Sequence, residues 1–123
     1  MPTPRRAGRA RVVFDDVLWD EDLTRASTEA TRAATRVREQ LEQHGAPLDA
    51  LRACDEQGRD GARLPGCLKL YVPLPAGPWG IVFQLARDQH GSLLAVLAFG
   101  LRHPPAGRRS SVYAIADQRL HRT

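Results

Sequence analysis

The chain has 123 residues, 42% of them hydrophobic, and a formal charge of +4 at pH 7, which suits one compact domain with a modest core and excludes two independent ones. Its 18 basic residues are diluted by 14 acidic ones, a balance that permits contact with nucleic acid without requiring it. Cys54 and Cys67 match no metal or redox spacing, and no hydrophobic stretch reaches the length of a signal core or a membrane span, so the sequence reads as a soluble protein of a reducing cytoplasm.

Residues 1–10 hold prolines, a glycine and arginines with little to bury, which predicts a flexible basic arm ahead of a single domain over residues 11–123. The Arg5-Arg6 pair is followed by no apolar region and is not read as an export signal. Arg11-Val12-Val13-Phe14 predicts a short strand closed by a turn at Asp15-Asp16. From about Asp20 to Gln43, Leu23, Ala26, Ala30, Ala33, Val37 and Leu41 recur at three- and four-residue steps. That spacing predicts one amphipathic helix with an alanine-rich stripe, acidic at its start and stopped by Gly45 and Pro47. Leu48, Leu51 and Ala53 predict a second, shorter helix, broken by Gly58-Arg59-Asp60-Gly61.

The second half carries strand patterns. Leu68 to Leu74 alternates, Trp79 to Ala86 is apolar and aromatic, and Leu93 to Leu101 is a continuous apolar run, with turns at Pro75-Ala76-Gly77-Pro78 and at Asp88 to Gly91. Short connections predict antiparallel hairpins, with the last strand central and covered on both faces. Ser111 reads as the N-cap of a helix over Val112 to Leu120. The fold class is therefore α+β: a small, antiparallel-dominated sheet of about four strands, an N-terminal helical pair and a C-terminal helix. Trp19 and Trp79 read as core.

Lys69 is the only lysine in the chain and sits in the middle of the first alternating strand. A single solvated base on an open sheet face is the plain account of it. The chemical account is that a lysine amine, unlike a guanidinium, loses its proton near neutrality when other cations surround it, and can then act as a base.

Four segments resemble the RelE branch of the RelE/ParE toxin superfamily, bacterial toxins of type II toxin–antitoxin pairs. They are Leu64-Pro65-Gly66-Cys67-Leu68-Lys69, Trp79-Gly80-Ile81-Val82-Phe83-Gln84-Leu85, Gly100-Leu101-Arg102 and Ser111-Val112-Tyr113-Ala114-Ile115-Ala116. The order and spacing carry the resemblance, from roughly Leu64 to the C-terminus, and Val37-Arg38-Glu39-Gln40-Leu41 is similar to a helix segment upstream.

The resemblance implies a metal-independent endoribonuclease that cuts mRNA in the ribosome and is neutralised by an antitoxin protein, with no cofactor. Such cleavage needs a base for the RNA 2′-hydroxyl, cations for the charge growing on the phosphate and an acid for the departing oxygen. The resemblance makes Lys69 the base candidate. Arg102 contacts the phosphate or leaving oxygen, and Tyr113 orients or deprotonates the hydroxyl. An unperturbed lysine, with a pKa of about 10.4, is a poor base at neutrality, so Arg63, Arg108 and Arg109 are assigned to lowering it and to holding RNA phosphates.

The chain departs from the family pattern twice. Tyr71 stands where the family has a second lysine, and Gly80 where it has an arginine after the aromatic that opens the next strand. Tyr71 is a candidate for stacking on a base, and His103 for replacing a lost acid or base. His44, His90 and His121 read as surface residues. Arg102 has a structural alternative in pairing with Asp88 or Asp117, and Tyr113 in half-burial where the last helix meets the sheet. Two other functions remain open: a ParE-like DNA gyrase inhibitor that catalyses nothing, favoured by the charge lost at Tyr71 and Gly80, and an inactive RelE-fold interaction module.

Overall fold

The computed structural model describes residues 8–54, 63–74, 77–104 and 111–122. Three long strands form its centre: β5 (Cys67–Leu74), β6 (Gly77–Asp88) and β7 (Gly91–Leu101), whose numbers follow chain order with the shorter strands named below. Both pairings between them are antiparallel. The β6–β7 turn forms where the Asp88 carboxylate accepts the His90 N–H at 2.8 Å and Gly91 takes φ 111°, a backbone state that side chains disfavour. The pattern Leu68–Leu70–Val72 inward and Cys67–Lys69–Tyr71 on the opposite face follows from the two-residue period of a strand.

The N-terminal half departs from its expected form in three ways. The single helix expected over 20–43 is two, α1 (Asp16–Leu23) and α2 (Thr28–His44). Asp15, expected to close a strand, caps α1 by accepting the Leu18 N–H at 3.1 Å, and Ser27 caps α2 by accepting the Ala30 N–H at 3.1 Å. These caps win over a continuous periodicity because each satisfies an N–H that a helix end otherwise leaves orphaned. The second helix expected at 48–53 is a single 3₁₀ turn, Leu48–Ala50, followed by strand β4 (Arg52–Ala53). Six residues are too few to repay helix nucleation in isolation, and the edge of β5 offers their backbone a ladder instead.

Among the described residues the sheet therefore has five strands rather than about four, in the order β2-β7-β6-β5-β4, where β2 (Val12–Val13) runs parallel to β7. A second, two-stranded sheet pairs β1 (Arg9–Ala10) with β3 (Ala46–Pro47). Residues 8–10, expected in the arm, thus pack with the domain, while residues 1–7 lie outside the described residues, as do the expected turn at 75–76 and the break at 58–61. The β1–β3 contact explains Gly45, the C-cap of α2 at φ 73°: a Cβ there would stand 2.5 Å from the Ala10 carbonyl oxygen.

The sheet is covered on both faces. On one, α1 and α2 bury Trp19, Ala30, Ala34, Leu41, Ile81, Phe83, Leu94 and Phe99. Phe99 lies 5.0 Å from the Trp19 ring centroid and stacks on Trp79 at 5.1 Å, and such large buried side chains contribute about 1.5–3 kcal/mol each. On the other face α3 (Val112–Leu120), capped by Ser111 accepting the Ala114 N–H at 3.2 Å, covers Cys67, Val82, Leu97 and Ala98.

Beyond β2, no strand among the described residues lies beside the outer edge of β7. Asp22 of α1 and Arg119 of α3 take its place. The Asp22 carboxylate accepts the Phe99 N–H at 2.9 Å, and Arg119 donates to the Leu97 carbonyl at 2.9 Å. The two side chains also pair with each other at 2.7 and 2.8 Å. Burial pulls the Arg119 guanidinium toward its neutral form, but the Asp22 hydrogen bonds and charge more than offset this, and its pKa lies above the usual value. The sequence places Asp22 among the acids at a helix start, whereas it lies one residue from the end of α1, and it gives Arg119 no separate role.

Cys67 is 2% exposed, and burial pushes its thiol pKa upward. A thiol reagent is accordingly expected to label Cys67 at the rate of global unfolding, at least 100-fold more slowly than in denaturant; labelling as fast as for the unfolded chain would mean that the α3 face opens locally. Among the described residues, no helix is long and apolar enough to cross a membrane.

Candidate functional site

Strand alternation places Lys69 and Tyr71 on the face that α3 covers only in part. Cys67, two residues earlier, is sealed under α3, whereas Lys69 is half-buried and Tyr71 is 38% exposed. Arg102 arrives from the end of β7. Its N–H donates to the Pro78 carbonyl at 2.7 Å, extending the β6 pairing one residue past the strand. Tyr113 lies in the first turn of α3, whose start is fixed by the Ser111 cap and by Val112 packing over Gly100.

The registers Tyr71↔Gly80 and Gly80↔Gly100 create a trough in the sheet. Through it runs the aliphatic stem of Arg102: a Cβ at residue 80 would lie 3.0 Å from Arg102 Cγ and 3.2 Å from its Cδ. The departure at Gly80 therefore does more than remove a charge, because it supplies the space that Arg102 occupies.

The three residues chosen from sequence come together around Tyr71. The Arg102 guanidinium carbon is 3.6 Å from the Tyr71 ring centroid, and Arg102 Nε donates to the Tyr113 hydroxyl at 3.4 Å. Lys69 Nζ is 5.7 Å from the Tyr71 centroid and 5.3 Å from that of Tyr113. Cation–π contacts of this kind are worth about 0.5–2 kcal/mol, depending on desolvation.

Among the described residues, neither Lys69 nor Arg102 forms an ion pair, although Arg11, Arg25, Arg38 and Arg119 all do. The acids that sequence offered to Arg102 are engaged elsewhere. Arg11 binds Asp88 at 2.6 and 2.9 Å and holds that carboxyl below its usual range, and Asp117 faces His121 at 2.6 Å. Tyr113 is half-buried at the junction of helix and sheet, with its hydroxyl toward Arg102.

No family model and no curated protein matches the chain. Among solved structures, the chain is similar to a mutant of the E. coli toxin RelE in its free state. The identity is 13%, the match covers 92% of this chain and 99% of that one, and the TM-score is 0.44.

The remaining candidates divide. His103 follows Arg102 and is exposed, and Arg63 is exposed just ahead of β5. Arg108 and Arg109 lie outside the described residues, so their assigned part in tuning Lys69 is carried by no observation. Arg52, which the sequence placed in a helix, instead lies on β4 directly opposite Lys69, with its guanidinium carbon 5.1 Å from the Tyr71 centroid. The signal that it belongs here is non-local, since only the pairing of β4 with β5 brings it to the site. Among the described residues, no group of three or more His, Cys, Asp or Glu side chains could hold a metal ion.

A half-buried cluster of cations and phenols in which, among the described residues, no carboxylate pairs with Lys69 or Arg102 is suited to binding an anion and to moving a proton beside it. The trough makes one mutation informative. Gly80→Ala is expected to leave the sheet folded while displacing Arg102, because the added Cβ meets side-chain atoms at 3.0 and 3.2 Å and a backbone oxygen only at 3.6 Å. The check is NMR: the Arg102 side-chain protons lose the ring-current shift imposed by Tyr71, and unchanged shifts would contradict the trough.

Proposed function

We propose that this chain is a RelE-like toxin: a metal-independent endoribonuclease that cleaves mRNA on the ribosome and is held inactive by an antitoxin protein. The single observation that carries the reading is the meeting of Lys69, Arg102 and Tyr113 around Tyr71, with neither cation paired to an acid among the described residues. The motif order from Leu64 to the C-terminus supports it, and so does the order of the larger elements: two helices, three long antiparallel strands and a closing helix, with the short strands β1 to β4 around them.

In the proposed reaction the 2′-oxygen of one ribose attacks the adjacent phosphorus and the bond from phosphorus to the 5′-oxygen breaks, leaving a 2′,3′-cyclic phosphate and a free 5′-hydroxyl. Lys69 takes the 2′-hydroxyl proton, and Tyr113 orients that hydroxyl or relays the proton. Arg102 holds the charge that builds on the phosphoryl oxygens, where a fixed guanidinium acts most strongly. His103, next to Arg102, is the candidate to return a proton to the 5′-oxygen. The positive face that receives RNA is also the face an acidic antitoxin segment would cover, and binding there would block substrate by occupancy alone.

Primer extension on translated messages, with and without brief expression of the chain, tests the reading. New 5′ ends within translated coding regions are the expected result. Their absence, together with inhibited supercoiling by purified gyrase, would replace this reading with the non-catalytic one. Absence of both effects would leave an interaction module.

A further inference from the structure

We propose that Tyr71 is a positioning residue, holding Arg102 and Arg52 as a two-pronged grip on backbone phosphates of a single RNA strand; the ligand class rests on the nuclease reading above. Arg102 lies in van der Waals contact with the ring, 3.6 Å from its centroid, so that face of Tyr71 is taken and is not open to a base. A guanidinium stacked by its face keeps its N–H edge for oxygen acceptors, which is the geometry that phosphate recognition uses. Among the described residues, only Arg102 Nε of this guanidinium is engaged, by the Tyr113 hydroxyl. Arg52 is exposed and, among the described residues, forms no ion pair.

Placement on the sheet adds a second argument. Arg52 and Lys69 are direct cross-strand partners, and like charges so placed destabilise a sheet. The Tyr71 ring, with cationic centres 3.6, 5.1 and 5.7 Å from its centroid, is what offsets their repulsion in the free protein. An anionic backbone entering the same space converts the remaining repulsion into affinity. The tyrosine that replaces a lysine of the resembled family thus trades a charge on β5 for a platform that recruits one from β4.

The test is fluorescence anisotropy with 2′-O-methyl oligouridine and oligoadenosine, which lack the 2′ proton needed for cleavage, over a range of salt. Arg52→Ala is expected to weaken both oligonucleotides by the same factor and to lower the slope of log affinity against log salt by about 0.7, the signature of one phosphate contact on a single strand. Tyr71→Leu is expected to lower the slope further, to add nothing in an Arg52→Ala/Arg102→Ala background, and to be rescued by Tyr71→Phe, which keeps the ring. The grip is overturned if Tyr71→Leu weakens oligoadenosine preferentially at an unchanged slope, the result for base stacking, or if Arg52→Ala leaves the slope unchanged. Either result leaves the nuclease reading standing wherever messages are cleaved. The expected salt signature without cleavage would remove that reading and keep the grip, and a wild-type chain that binds neither oligonucleotide would overturn the grip.

Discussion

Asp22→Ala is expected to be the most damaging single substitution in the protein, lowering stability by about 3–5 kcal/mol and the melting temperature by roughly 10–20 °C. The carboxylate is 1% exposed and its partner Arg119 is 5% exposed, so deletion leaves a buried guanidinium with only the half-exposed Glu21 carboxylate, at 3.3 Å, as an acid partner. Folded domains have only about 5–15 kcal/mol in hand, which makes this a loss of a large share. Thermal and urea unfolding followed by circular dichroism would measure it. Arg11→Ala, which breaks the exposed pair with Asp88 and leaves the Asp88–His90 turn bond in place, is the control and should change little. The usual rescue of a buried ion pair, an apolar pair of similar volume, is expected to fail here. Asp22→Leu with Arg119→Met would remove both buried charges but orphan the Phe99 N–H and the Leu97 carbonyl on the β7 edge. A double mutant as stable as the wild type would show that the pair is dispensable as an edge cap.

The second large effect belongs to the proposed chemistry. Lys69→Ala and Arg102→Ala are each expected to reduce RNA cleavage by about 10²–10⁴-fold, the range in which single acid–base and charge-stabilising groups act, and to relieve growth arrest on induction. Lys69→Arg separates the roles of charge and proton transfer. It keeps the cation and the contacts with both tyrosine rings, so RNA binding persists while cleavage falls as far as in Lys69→Ala. Tyr113→Phe keeps the ring under Lys69 but removes the hydroxyl that accepts from Arg102 at 3.4 Å. Rates of message cleavage in a translating extract, with oligonucleotide affinity measured in parallel, resolve these cases. Undiminished cleavage in both alanine variants would end the assignment of roles, and a Lys69→Arg variant of normal rate would end that of Lys69 as base. None of the four variants should melt much below the wild type, since no member of the cluster is in an ion pair among the described residues.

Most elements of the second half were legible because their signals are short-range. Alternation over 68–74, the apolar run over 93–101 and the serine before 112 each specify an element within a few residues, and β5, β7 and α3 lie where these signals place them. The same alternation puts Lys69 and Tyr71 on one face. The first half misled for a physical reason: an alanine stripe continues across Thr24–Ser27 with helical spacing, yet two caps divide it. At 52–53 the chain obeys a partner strand rather than its own weak propensity. Arg52 was missed with it.

By itself the sequence determined the α+β class, the antiparallel hairpins and the faces of the strands, since each depends on backbone geometry repeating every two or 3.6 residues. Only the tertiary structure decided which charges meet. Asp22 and Arg119 are 97 positions apart, and Arg102 reaches Tyr71 because two glycines on neighbouring strands leave a trough between them. Such meetings depend on which surfaces pack and which edges lack a strand, and a local pattern carries no record of either.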